Sequence, residues 1–230
     1  MMLALAALAG CRSEAPAPEP MASASPSAAA SGEVPGPQVN VLAFGDSLFA
    51  GYGLEDPELS YPARLEDALR AAGRNVRIAN AGVSGDTTAA GRQRLAFTLD
   101  AQPAKPDLVL LELGGNDLLR GLPPEQTREN LSAMLAELKK RDIPVVLMGL
   151  QAPPNYGAGW QAQFDAIYPE LAKKYGAPLV PFVTEAVFAD PGMLQADRVH
   201  PTARGVDALV AATQDAIVGA LPAKAQSGAD

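Results

Sequence analysis

The chain contains one histidine, His200, in the run Asp197-Arg198-Val199-His200-Pro201, with a carboxylate three residues before it. Imidazole has its ordinary pKa near neutrality, so acid/base chemistry by an unperturbed side chain at neutral pH has a single candidate centre here. An isolated histidine is more often a surface group or a satisfied core residue, and its meaning depends on its partners. A serine hydroxyl is a poor nucleophile until a base takes its proton. Ser47, in Gly45-Asp46-Ser47-Leu48, is a candidate for that partnership, with Asp197 holding the imidazole in one tautomer and stabilising its charged form. The alternative for Asp197 is a cap on the helix that follows. Ser84, in Gly82-Val83-Ser84-Gly85, is a rival hydroxyl, but with no paired motif it is expected to bond its local backbone. Asp46 and Asp117 are expected to fix turns through side-chain to backbone bonds rather than move protons.

These residues need a frame that brings them together, and the apolar pattern supplies one. Short runs without polar alternation, Val39 to Phe44, Val76 to Ala79, Leu108 to Leu113, Val145 to Leu150 and Leu179 to Val183, read as strands covered on both faces. Helical periodicity lies between and after them: Tyr61 to Ala72, Thr88 to Leu99, Gln126 to Arg141, Trp160 to Tyr175 and Thr202 to Leu221. Five alternations predict an α/β fold, a three-layer α/β/α (flavodoxin-like) sandwich around a five-stranded parallel sheet, with helices on both faces. Ligand sites in such sheets lie at the carboxyl ends of the strands. The Ser47 turn follows the first strand, Ala81-Gly82-Val83-Ser84-Gly85-Asp86 the second, Gly114-Gly115-Asn116-Asp117 the third, and the His200 run the fifth. Four polar turns are thus expected at one edge of one sheet. Gly121, Pro123 and Pro124 mark Leu118 to Pro124 as a loop, and Trp160 and Tyr168 are expected to be core or pocket wall.

Composition narrows the function. With 230 residues, 48% hydrophobic and 19% charged, the chain suits one globular domain plus extra length. A formal charge of -8 and the lack of any Lys/Arg run argue against nucleic acid as a partner. One Cys and one His leave a metal site to be built mainly from carboxylates, so neither a metal nor a cofactor is expected.

The lone cysteine has its own context. Residues 1 to 10 are mostly apolar and end in Leu8-Ala9-Gly10 before Cys11, which resembles a bacterial lipobox, with Cys11 as the lipidated residue; the alternatives are a cleaved secretory signal or an ordinary apolar N-terminus with a buried Cys. The run is too short to span a bilayer, which takes roughly 20 apolar residues. Residues 11 to 38 are rich in Pro, Ala and Ser and read as a flexible tether, since they bury too little apolar surface to offset ordering entropy. The folded domain is then expected at 39 to 222, with a disordered tail at 223 to 230. The expected location is the periplasmic side of a bacterial envelope, with the membrane contacted only through the N-terminal anchor.

The four blocks, intact and in order, resemble the SGNH or GDSL hydrolases: Gly-Asp-Ser, a second-block Gly, Gly-x-Asn-Asp and Asp-x-x-His. The resemblance covers Val39 to Leu221. It is closest to the branch of periplasmic acyl-thioesterase I, lysophospholipase L1 and arylesterase, which also carries runs like Glu112 to Asp117, Pro154-Asn155-Tyr156-Gly157 and Ile167-Tyr168-Pro169. It implies a triad of Ser47, Asp197 and His200, and an oxyanion hole made of the Ser47 N–H, the Gly85 N–H and the Asn116 side-chain amide. It also implies substrate contacts at Leu118, Pro154 and Tyr156, and a monomer acting on a small-molecule acyl ester. The Gly-x-Ser-x-Gly motif of the α/β hydrolases is absent, because position 49 is Phe. The expected activity is hydrolysis of aryl, short- to medium-chain acyl or lysophospholipid esters, or of thioesters, through an acyl-enzyme. The alternatives are a carbohydrate O-acetyl esterase, or a membrane-tethered acyl transferase or binding protein of the same fold.

Overall fold

The computed structural model describes residues 34–183 and 190–223. Residues 1–10, Cys11, most of the tether and the tail beyond 223 lie outside them. Five strands, β1 (Val39–Gly45), β2 (Val76–Gly82), β3 (Leu108–Glu112), β4 (Val145–Gly149) and β5 (Leu179–Pro181), pair in parallel in the order β2-β1-β3-β4-β5. This is the flavodoxin-like order, and its reversal point lies at β1, where a crevice opens beyond the strand ends. The α-helices among the described residues are α1 (Ser47–Ala50), α2 (Tyr61–Ala71), α3 (Thr88–Asp100), α4 (Gly115–Leu119), α5 (Pro124–Lys140), α6 (Ala158–Asp165), α7 (Ile167–Tyr175) and α8 (Ala203–Ala220). Among the described residues, no helix is long and apolar enough to cross a membrane.

Helix α2 packs on α8, while α3 packs on α5 and α5 on α7, so helices layer the sheet as the alternating pattern predicts. The three inner strands are buried nearly throughout, and each fully buried Val, Leu or Phe contributes on the order of 1.5–3 kcal/mol. The two edge strands depart from the expectation of cover on both faces. In β2, Arg77, Ala79 and Asn80 are exposed, because α1 and α2 are the helices that pack closely on it. In β5, Leu179 and Pro181 are exposed and Val180 alone is buried, and the strand ends at Pro181 rather than Val183.

Two helical boundaries also differ. The pattern from Trp160 to Tyr175 is two helices, broken at Ala166. Pro169 has no N–H to donate to the carbonyl of Asp165, four residues back, and its ring crowds that carbonyl. The Asp165 side chain is instead turned to the Ala152 N–H at 2.7 Å. The stretch from Leu118, expected as loop, begins inside α4, and only residues 120–123 separate α4 from α5. Pro124 opens α5 because the first helical position needs no N–H partner.

Candidate active site

Ser47 is the first residue of α1, directly after β1. Gly45 closes β1 in a space with no room for a side chain: a Cβ would lie 2.7 Å from Phe49 and 2.8 Å from the Glu112 carboxyl. Asp46 caps α1 by accepting the Leu48 N–H at 3.1 Å. This turn presents the Ser47 hydroxyl 2.9 Å from His200 Nε2, and His200 Nδ1 lies 2.7 Å from Asp197 Oδ2. The other Asp197 oxygen accepts the backbone N–H groups of Val199 and His200 at 2.9 and 3.0 Å. The His200 ring bond, followed by these two amides, holds the Asp197 carboxyl down at about 2. Asp197 does not cap the following helix; Thr202 does, accepting the Gly205 N–H at 3.2 Å.

The loop that carries His200 depends on residues the motifs did not point to. Gln195 donates its backbone N–H to His200 O at 2.8 Å and its side-chain amide to Tyr52 O and Pro201 O. Tyr52 lies against the imidazole with ring centroids 4.5 Å apart. Arg198 takes φ 62, an uncommon value for a side-chain-bearing residue, and this tight turn lets the Asp197 carboxylate reach the amides and ring that follow.

Two further polar turns follow β3 and β2. Asn116, in α4 after β3, donates from Nδ2 to Asp46 Oδ2 at 3.2 Å. Gly85, after β2, has φ 86, a backbone shape that favours glycine. Its carbonyl is bonded by Arg120 at 2.9 Å, while Arg94 spans Asp86 at 2.6 Å and Gly45 O at 2.9 Å from above the Phe44 ring. Neither arginine was legible as part of the site, because no local spacing marks a bond across about forty residues. The expected role for Asp46, fixing its turn, agrees with its Leu48 bond. Asp117 instead reaches away from its own turn, accepting from the Thr88 N–H, the Thr88 hydroxyl and the Thr127 hydroxyl.

A cleft of about 670 Å³ opens from Ser47, within the usual range for small-molecule sites. Its walls are largely apolar, with Leu48, Leu118, Leu119, Leu150, Ala152 and Pro154 among them, and Arg198 and Val199 at one side. Leu118 and Pro154 thus stand where substrate contacts were expected. Tyr156 is not among the lining residues; it stacks on Trp160, which stacks in turn on Phe164, at centroid distances of 4.8 and 5.2 Å. Tyr168 is core, its hydroxyl donating to Leu113 O at 3.0 Å. Among the described residues no three His, Cys, Asp or Glu side chains are grouped so as to hold a metal ion. Chemically, the arrangement can pass a proton from the Ser47 hydroxyl to an imidazole whose far side is held by a carboxylate. Asn116 lines the same cleft as Ser47.

The model of the GDSL-like lipase/acylhydrolase family matches residues 43–208. A Vibrio mimicus protein named arylesterase is 44% identical over 161 residues, 70% of this chain and 79% of that one. The thioesterase 1/protease 1/lysophospholipase L1 of Escherichia coli K12 is 40% identical over 161 residues, 70% of this chain and 74% of its own. Among solved structures, AlinE4, an SGNH-hydrolase family esterase, is 63% identical over 81% of this chain and 98% of its own, with a TM-score of 0.68. TesA is 38% identical over 79% and 99%, with a TM-score of 0.74.

Proposed function

The chain belongs to the GDSL-like lipase/acylhydrolase family, and from that premise we propose that it hydrolyses carboxylic esters and thioesters through an acyl-enzyme on Ser47. The observation that carries this reading is the continuous line Ser47 Oγ, His200 Nε2, His200 Nδ1, Asp197 Oδ2, with separations of 2.9 and 2.7 Å. His200 takes the Ser47 proton as Oγ attacks the acyl carbon, and Asp197 stabilises the imidazolium that forms. The tetrahedral oxyanion is met by the N–H groups of Ser47 and Gly85 and by the Asn116 amide, each such donor contributing about 10²–10³ in turnover. Collapse expels the alcohol or thiol with the proton returned by His200. Water, activated by the same imidazole, then releases the acid. An apolar cleft of about 670 Å³ beside Ser47 has room for more than an acetyl group, which favours fatty-acyl and aryl esters over sugar acetates.

With p-nitrophenyl butyrate, the wild type should show a burst of nitrophenolate, and Ser47→Ala and His200→Ala should each lose most of the turnover with circular dichroism unchanged. Equal rates for wild type and Ser47→Ala would sink the assignment.

For the N-terminus, the reading is a lipoprotein leader over 1–10, an acylated Cys11 and a tether to a catalytic domain at 39–222, acting as a monomer in the bacterial envelope. The lipobox-like run before the lone Cys supports it. Cys11→Ser should release the full-length protein from membranes, and an equally soluble wild type would refute the anchor.

A further inference from the structure

Behind the candidate site lies a carboxyl group that the acyl-enzyme reaction does not use. Glu112 ends β3, after four apolar residues, and is fully buried. Its Oε2 accepts the Asp46 N–H at 3.2 Å, and its Oε1, also buried, accepts no N–H or O–H among the described residues. The carboxyl of Asp46, itself only 2% exposed, adjoins it. Two adjoining carboxylates away from water cannot both hold charge without a large desolvation and repulsion cost. The pattern of bonds separates their roles. Both Asp46 oxygens accept N–H groups, Oδ1 from Leu48 and Oδ2 from Asn116, as suits an anion. Glu112, which accepts one N–H among the described residues and faces a carboxylate, suits the acid.

We propose that Glu112 is a positioning residue for the oxyanion hole: it carries a proton, directs it in a hydrogen bond to the Asp46 carboxylate, and thereby holds Asp46 against the Asn116 side-chain amide. Burial, and then the charge of Asp46, push the Glu112 carboxyl well above the usual carboxylate range. The ionisable groups around it come from every side. Asp46 stands on the β1–α1 turn, Tyr61 on α2 and Tyr168 on α7, while His200 acts on Asp46 and Asp117 acts on Tyr168. Asn116 must keep one amide hydrogen on Asp46 so that its other faces the reacting carbonyl oxygen. The Glu112 proton fixes the near end of that line. The inference rests on the assignment of Asn116 to the oxyanion hole.

The test uses two substitutions of similar size in the intact chain. Glu112→Gln retains an oxygen for the Asp46 N–H and an N–H for the Asp46 carboxylate, whereas Glu112→Met retains neither. The expected result is kcat within about threefold of wild type for E112Q and lowered about tenfold or more for E112M, with KM little changed in both. In the Asn116→Ala background E112M should cost nothing further, because the group it acts through is already gone. Infrared difference spectra of wild type against E112Q at neutral pH should show one protonated-carboxyl stretch lost. Wild-type kcat in E112M, a loss in E112Q equal to that in E112M, losses that multiply in the double variant, or no such infrared band would each overturn the proposal. Should E112M not fold, the E112Q rate and the infrared band decide it. Wild-type kcat in N116A would instead overturn the oxyanion assignment itself, so the two failures are distinct.

Discussion

Asp117 Oδ2 accepts the backbone N–H of Thr88 at 2.8 Å and its Oδ1 accepts the Thr88 hydroxyl at 2.5 Å, tying the turn after β3 to the first residue of α3. The Gly85 turn runs directly into α3, and Asn116 directly precedes Asp117. One buried carboxylate therefore sets the spacing between two of the three proposed oxyanion donors.

Asp117→Ala would leave the Thr88 N–H and the hydroxyls of Thr88 and Thr127 without their buried acceptor. Loss of such a network is expected to cost roughly 3 kcal/mol, or about 6–12 °C in Tm for a domain of this size. Turnover at permissive temperature should fall as well. Calorimetry together with butyrate hydrolysis checks both; an unchanged Tm would show that water replaces the carboxylate without loss.

Asp197 makes a pH-dependent contribution whose sign follows from its depressed value of about 2 against the ordinary 3.8. A carboxyl depressed in the folded state stabilises the fold above its unfolded value, and that contribution disappears as pH falls through the folded value. Asp197→Asn should therefore be less stable than wild type above about pH 5, with the gap closing between pH 3.8 and 2. Urea midpoints across this range decide it, a gap independent of pH being the contrary result.

Gly114 stands at φ 126, and a Cβ there would lie 2.2 Å from the Tyr168 hydroxyl. Gly114→Ala should thus suffer both backbone strain of about 1–3 kcal/mol and a steric clash. Tyr168→Phe removes the clashing oxygen, so the Ala substitution should be less damaging in that background. Equal Tm losses in the two backgrounds would show that the contact plays no part.

Leu118 lines the cleft beside Ser47. Enlarging it to Trp should obstruct long acyl chains more than short ones, and kcat/KM for p-nitrophenyl decanoate relative to acetate should fall by about tenfold or more. A ratio that does not move would place the acyl chain elsewhere.

Much of the fold was legible because β1, β3 and β4 are largely apolar runs without polar alternation, a pattern expected where both faces of a strand are covered. The edge strand β2 carries Arg77 and Asn80 and β5 ends in a proline, yet the periodicity does not say which strand lies outermost, and their exposure is a property of the sheet order. The helix expected from Trp160 to Tyr175 contained its own warning in Pro169, which the apolar spacing outweighed. Tyr156 was assigned to substrate by resemblance, and its stacking on Trp160, which continues to Phe164, had no signal in that motif. Arg94 and Arg120 went unread because their bonds to Gly45 and Gly85 join residues distant in sequence, and Gln195 because it lies before the His200 motif and reaches Tyr52 from the far end of the chain. Glu112 did have a local signal, a charge closing an apolar strand, but its meaning depended on what it would meet.

The sequence alone determined the chemistry available: one imidazole, a serine at a strand-to-helix turn, a carboxylate three residues from the histidine, and four glycine-rich or polar turns in order. Residue type and local spacing decide those. Tertiary structure decided the distances that make them a site: 153 positions separate Ser47 from His200, and only the parallel sheet brings the hydroxyl and ring nitrogen to 2.9 Å. It decided, too, that Glu112 is buried beside Asp46. Burial belongs to no single residue, and it is burial that makes one of two like carboxyls keep its proton.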